Sequence, residues 1–427
     1  MDHPDLSAAR RGQPSPDSSP SGHPSAVDGL EAELAAVAQG EAVVRAWVDR
    51  PGEAELRRAV ADAPAGPLQG WTIGVKDVID TASLRTERGS AIYRGRQADS
   101  DAACVALARA AGAVVAGKTA TAELALVTPA LTTNPYDRTR TPGGSSSGSA
   151  AAVAADMVRV ALGTQTAGSV IRPASFCGVV GFKPTFGWVS VRGVHPVAPS
   201  LDTVGYFART VADIADLHTA LTAQVVSPPV WRVRVGLYRS HQWPAAGPDS
   251  ARAMERAATA LRAAGAMVVP VELVADLGDA GEVATTMMVA EAWRTLAWER
   301  SQPEELLSLG LRRLLARGAK VSAEDYVGAQ RRAVAIRASF DAAIEGFDAW
   351  LTPAVVGEAP GIETTGDPAF CRVWTLAGGP AITIPSGPGV SGLPVGVQLV
   401  GSRWDDATLL AVAAELEAAL RHGHDGA

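Results

Sequence analysis

Residues 143–185 read GGSSSGSAAAVAADMVRVALGTQTAGSVIRPASFCGVVGFKPT. The stretch offers two serines, Ser145 and Ser169, each set among Gly, Ser, Thr and Ala. Small residues let backbone N–H groups approach a ligand closely and permit dihedrals closed to bulkier side chains. A hydroxyl in such surroundings suits acyl transfer, which needs a nucleophile and donors aimed at the oxyanion. Upstream, WTIGVKDVIDT (71–81) puts Lys76 at the end of an apolar, strand-like run. Burial there disfavours an ammonium and lowers its pKa, which makes Lys76 a candidate general base. A serine hydroxyl both donates and accepts, so Ser145 can relay a proton.

Outward from this stretch the chain alternates. Strands are expected at 68–75, 113–116, 158–162, 179–182, 233–237, 266–271, 349–352, 381–385 and 394–400. Helices are expected at 30–38, 53–61, 101–111, 150–155, 250–265 and 405–420, with 282–346 mainly helical. Residues 132–149 carry Asn-Pro, Thr-Pro and Gly-Gly and read as loop. This alternation predicts an α/β fold, a central sheet covered by helices on both faces. No repeat or low-complexity linker follows residue 30, so 29–427 is expected to form one domain. Residues 1–28 are rich in Ser, Pro and Asp, bury too little apolar surface to offset chain entropy, and are expected to be disordered.

The chain has 427 residues, 47% hydrophobic and 19% charged, enough for a large core. Its net charge of -7 argues against nucleic acid as a partner, which would want a basic face. Three cysteines (Cys104, Cys177, Cys371) give no disulfide framework and fit a reducing cytoplasm. The histidines are scattered, without metal-ligand spacing, so no metal is expected. No apolar stretch is long enough to span a membrane. No apolar run follows Arg10 and Arg11, so they do not begin an export signal. Lysines are rare, four among 38 basic side chains. Where arginine is the habitual cation, a lysine suggests an amine that must be able to lose its proton.

Several features invite over-reading. Residues 112–119, GAVVAGKT, match the phosphate-loop pattern letter for letter. That loop needs a strand before its first glycine and exposed amides within it. Here a helix precedes Gly112 and the interior is a buried strand, so a nucleotide site is rejected. Lys118 either lies near the floor of an active site or ends a strand. A serine hydrolase could use His195, but Lys76 already supplies a base. Asp202, in SLDT, reads as a turn-capping carboxylate. Cys177 reads as packing. Trp293, Trp298 and Trp374 suit a pocket lining and core packing equally.

The motifs together resemble the amidase signature family, serine hydrolases with a Ser–Ser–Lys triad. The matching pieces are GVKDVIDT (74–81), GAVVAGKT (112–119), TPGGSSSGSAAAVAA (141–155), LGTQTAGS (162–169), CGVVGFKPT (177–185), SLDTVGYFARTVAD (200–213), LTPA (351–354), GGPAITIPSG and LPVGVQLVG. The resemblance runs over nearly all of 30–420. It implies the amidase-signature fold, with a central mixed sheet. It implies Lys76 as general base, Ser145 as bridging serine on a cis Gly144–Ser145 peptide, and Ser169 as nucleophile. Backbone N–H groups of Thr166, Ala167, Gly168 and Ser169 would form the oxyanion hole, and Gly144 and Ser146 would support the network. Two positions depart from the family. Gln165 stands where an acidic residue is usual. The arginine usual two residues after the nucleophile is here third, at Arg172.

The leading expectation is therefore an amide hydrolase working through an acyl-enzyme, with carbamates (urethanes) and esters within reach of the same chemistry. No cofactor is expected. The expected partner is a small-molecule amide or carbamate, with neither nucleic acid nor membrane, and a homodimer is admitted. The alternative is the glutaminase subunit of a tRNA-dependent amidotransferase. A binding protein that has lost catalysis is disfavoured by the intact Lys76, Ser145 and Ser169. Residues 122–140 and 282–346 are expected to shape the pocket.

Overall fold

The computed structural model describes residues 26–229 and 232–422. Eleven strands among them make one sheet. In chain order they are β1 (Trp47–Asp49), β2 (Thr72–Lys76), β3 (Val114–Thr119), β4 (Val160–Gln165), β5 (Val180–Lys183) and β6 (Thr203–Ala208). There follow β7 (Arg234–Leu237), β8 (Met267–Pro270), β9 (Ala349–Pro353), β10 (Ala381–Pro388) and β11 (Pro394–Val400). The spatial order is β1-β3-β2-β4-β6-β5-β10-β11-β9-β7-β8. β2 runs parallel to both β3 and β4, and β7 to both β8 and β9. The remaining pairs are antiparallel, so the sheet is mixed, as expected.

The helices are α1 (Ala26–Val44), α2 (Glu53–Ala61), α3 (Ala103–Ala110), α4 (Ser147–Ala154), α5 (Ile171–Cys177) and α6 (Val211–Thr222). The second half adds α7 (Pro248–Ala263), α8 (Ala280–Thr295), α9 (Leu309–Gly318), α10 (Ala323–Ile344), α11 (Ala369–Ala377) and α12 (Asp406–His422). They cover both faces of the sheet, and the strand sequences say why. Successive strand residues point to opposite faces. Val115, Val160 and Leu162 join the larger apolar cluster, while Val114, Ala116 and Ala161 join a second cluster beneath α1, α2 and α4. Strands buried on both sides read as continuous apolar runs, which is what the central strands show.

The expected elements are present with shifted ends. The run 68–75 begins as a turn, Trp71 N–H donating to Leu68 C=O, and the strand proper ends on Lys76. The helix expected at 150 starts at Ser147, inside the segment read as loop. The sequence reading does not anticipate β1, β6, α5, α6 or α11 as elements. Of the segment expected to be disordered, 1–25 lies outside the described residues, and 26–28 already belong to α1.

Candidate active site

β2 and β4 lie side by side and parallel, with Val75 opposite Leu162. Their carboxyl ends therefore open on the same edge, the usual place for a site in such sheets. Lys76 is the last residue of β2 and is fully buried. Its Nζ is 2.8 Å from Ser145 Oγ and 2.8 Å from Thr164 Oγ1, hydrogen-bonded to both. Among the described residues no carboxylate forms an ion pair with it. Burial, reinforced by the charge of Arg172 and opposed by that of Asp202, holds its pKa well below the usual lysine range. The amine is thereby favoured in its neutral, basic form.

The loop that brings Ser145 to this amine depends on small residues. Gly143 has a φ of +81°, and a Cβ there would lie 2.7 Å from Pro173 Cα. The Gly144–Ser145 peptide is cis. Ala122 N–H donates to the Ser145 carbonyl at 3.0 Å, and Gly144 N–H to the Thr365 carbonyl at 3.2 Å. The following serines turn inward and stitch α4 to the sheet. Ser146 Oγ donates to the Thr164 carbonyl and accepts from Thr164 N–H. Ser149 Oγ donates to the Leu162 carbonyl and contacts Thr119 Oγ1 at 2.7 Å. At Gly148 the helix meets the end of β3 so closely that a Cβ would sit 2.3 Å from Ala120 N and from Ala46 O.

Ser169 lies on the turn between β4 and α5. Gln165, the last residue of β4, shapes that turn. Its Oε1 accepts from Val170 N–H and Ile171 N–H, at 2.9 and 3.1 Å, while its Nε2 donates to Thr375 Oγ1. The Thr375 hydroxyl in turn donates to the Ala167 carbonyl. A neutral amide, donor and acceptor at once, thus does by hydrogen bonds what a carboxylate could only half do. Thr166 Oγ1 donates to Asp202 Oδ1 at 2.6 Å, fixing the other flank. Among the described residues, none accepts a hydrogen bond from the N–H groups of Thr166, Ala167, Gly168 or Ser169. Ser169 is 7% exposed and Ser145 only 1%. The expected contact of Ser145 with both Lys76 and Ser169 is therefore half present: Ser145 meets Lys76, and the Ser169 hydroxyl makes no hydrogen bond to Ser145.

The other singled-out residues separate clearly. Lys118 is buried and donates to the Ile79 carbonyl and to Thr86 Oγ1, tying the chain after β2 to β3. His195 is buried with its Nε2 3.6 Å from Glu299, and burial drives its pKa down to about 3. Asp202 accepts from Val197 and Ala198 N–H through Oδ2, the turn cap expected of it. Cys177 is buried, its Sγ 3.3 Å from the Pro142 carbonyl. Trp374 packs in the core against Tyr238, Phe340 and Trp350, and Trp298 is exposed. Trp293 is half-buried beneath the Arg300 guanidinium, 3.4 Å from the ring centre. Sequence reasoning missed Thr164 as a partner of Lys76, and it missed Thr375 altogether.

Known proteins resemble this chain along most of its length. Residues 45–410 match the Amidase family. A glutamyl-tRNA(Gln) amidotransferase subunit from Symbiobacterium thermophilum is 34% identical, over 94% of this chain and 95% of the relative. Two solved structures align over nearly the whole chain. One is 6-aminohexanoate cyclic dimer hydrolase complexed with substrate, with a TM-score of 0.82, 28% identity, and coverage of 93% of this chain and 94% of that one. The other is the native peptide amidase of Stenotrophomonas maltophilia, with a TM-score of 0.79, 31% identity, and coverage of 93% and 94%. Among the described residues no helix is long and apolar enough to cross a membrane.

Proposed function

The chain belongs to the amidase family, and from that premise we propose that it is a free-standing amide hydrolase of the cytoplasm acting through Ser169, Ser145 and Lys76. The observation that carries this reading is the buried Lys76 amine, hydrogen-bonded to Ser145 Oγ and without a carboxylate partner among the described residues. A neutral amine has a lone pair, so it accepts the Ser145 proton while Ser145 takes the proton of Ser169. The Ser169 oxygen then attacks the acyl carbon. The oxyanion that forms is received by the N–H groups of 166–169, unpaired among the described residues, whose donors are fixed before reaction begins. The proton returns along the same path to the departing nitrogen, and an amine or ammonia leaves. Water repeats the sequence on the acyl-enzyme and releases a carboxylic acid. The open contact between Ser145 and Ser169 fits a site that tightens only on its substrate.

Carbamates and esters pass through similar tetrahedral intermediates and belong to the same reading. The second reading, a glutaminase component of a tRNA-dependent amidotransferase, is favoured by one observation, the 34% identity to a protein of that assembly. Product release over a panel of aryl amides, aliphatic amides, urethanes and glutamine tests both. Hydrolysis of simple amides by the purified chain supports the first. Activity confined to glutamine, and dependent on co-purifying subunits, supports the second.

A further inference from the structure

The loop over 193–202 bears on both halves of the site, and α8 grips it from outside. At one end His195 N–H donates to the Val78 carbonyl, just beyond Lys76, at 2.8 Å. At the other end stands Asp202. Its Oδ2 accepts from Val197 and Ala198 N–H, and its Oδ1 from Thr166 Oγ1 in the turn that carries Ser169. Three side chains from α8 and the short turn after it meet this loop in antiparallel order. They stand four residues apart, so they share one helical face. Glu291 Oε2 accepts from Ser200 N–H at 2.9 Å. Thr295 Oγ1 donates to the Val197 carbonyl at 2.8 Å, nearer than the Glu291 carbonyl of its own helix at 3.0 Å. Glu299 lies 3.6 Å from His195 Nε2.

Glu291 is the firmest point of this clamp. It is 5% exposed, and its other oxygen accepts from Tyr326 O–H of α10 at 2.9 Å. Burying a carboxylate is costly, and apolar packing would hold α8 in place without that cost. What apolar packing lacks is direction. A hydrogen bond fixes an angle as well as a separation, and here one oxygen holds Ser200 while α10 holds the other. We propose that Glu291 is a positioning residue: through Ser200 and Asp202 it sets the aim of the N–H groups of 166–169 toward the oxyanion. This rests on the amide-hydrolase reading above. It gives α8 and α10 a part in acyl transfer that is made through the loop, not by contact with the reacting atoms.

The test follows hydrolysis of p-nitrophenyl acetate by wild type, Glu291→Gln, Asp202→Asn and the double variant. Glu291→Gln keeps the volume but turns an amide NH2 toward one of the two donors. A misaimed oxyanion turn acts on the transition state, so kcat should fall by about 10- to 100-fold with KM within about twofold of wild type. Because Glu291 acts through Asp202, the double variant should lose no more than the worse single one. An unchanged kcat, a rise in KM alone, or single losses that multiply in the double variant would overturn the assignment. Thr295→Val, one turn along the same face, should repeat the pattern with a smaller loss and serves should Glu291→Gln fail to fold; wild-type kinetics in it count against the clamp. Hydrogen exchange provides a readout that needs no turnover. Amides of 196–203 and of 166–172 should both exchange faster in Glu291→Gln; acceleration confined to 196–203, or none, refutes the relay. A wild type inert on the ester, with both segments loosened in the variant, would sink the amidase reading and leave the coupling of Glu291 to the Ser169 turn standing.

Discussion

Thr164 Oγ1 lies 2.8 Å from the Lys76 amine, the same distance as the bridging Ser145 Oγ. The amine is thus held between two hydroxyls contributed by different parts of the chain, one on β4 and one on the glycine-serine loop. Thr164 fixes the direction of the lone pair that Ser145 must meet. Thr164→Val keeps the shape and removes the hydroxyl. We expect kcat to fall roughly tenfold, equivalent to about 1.4 kcal/mol, the worth of one hydrogen bond. The hydroxyl oxygen accepts more strongly from an ammonium than from an amine, so its loss should also move the acid limb of the pH–rate profile to lower pH. A change in Tm without a change in kcat would show a purely structural role.

The catalytic candidates were legible because the chemistry restricts residue type. A lysine closing an apolar run and serines embedded in glycine have few other uses together, and Lys76 and Ser145 meet as expected. What escaped was contact made through space. Thr164 is one threonine among many until β4 is laid beside β2. Thr375 joins Gln165 across more than two hundred residues, and no local pattern marks it. Among the elements, β1 has three residues and α5 seven, too short for a period to show. The serine-rich loop carries a second role that its composition does not show: Ser146, Ser147 and Ser149 are buried and spend their hydroxyls on β3, β4 and the loop after β3.

Lys76 supplies a pH signature. Its folded pKa is lowered, chiefly by burial, so the active, neutral form is reached below the ordinary lysine range. Activity should rise with pH along a limb lying well below pH 10.5 and then level. Lys76→Ala should lose about 10²–10⁴-fold in kcat, the typical worth of a general base. Lys76→Arg should do no better, because a guanidinium does not release its proton in this range. An active arginine variant would remove Lys76 from the role of base.

The assignment of Ser169 as nucleophile can be read directly. A fluorophosphonate should add to one serine, and peptide mass spectrometry should place it on Ser169. Ser169→Ala should abolish labelling and leave Tm nearly unchanged, since its hydroxyl makes no hydrogen bond to Ser145. A label on Ser145 or Ser146 would reverse the order of the relay.

Asp202 braces the oxyanion turn without entering the chemistry. It accepts from Thr166 O–H and from Val197 and Ala198 N–H. Asp202→Ala leaves three donors without their partner, each costing about 1–3 kcal/mol where water cannot replace it. We expect a loss of at least roughly 3 kcal/mol in urea unfolding, with a smaller loss for Asp202→Asn, which keeps one acceptor. An Ala variant as stable as wild type would mean that the turn is held from elsewhere.

Glu33 offers a test of linkage far from the site. Thr72 Oγ1 donates to its Oε2 at 2.6 Å, joining α1 to β2, and burial raises its pKa to about 7. The folded protein therefore holds this proton more tightly than the unfolded chain does. A raised folded pKa contributes stability that is complete below the unfolded value, near 4.5, and is lost as pH rises through the folded one. Glu33→Gln keeps an acceptor for Thr72 and carries no charge to bury. Relative to this variant, wild-type Tm should decline between pH 4.5 and about 7 and run level above. Parallel Tm curves for the two proteins across that window would show that Glu33 ionises in the folded state as freely as in the unfolded chain.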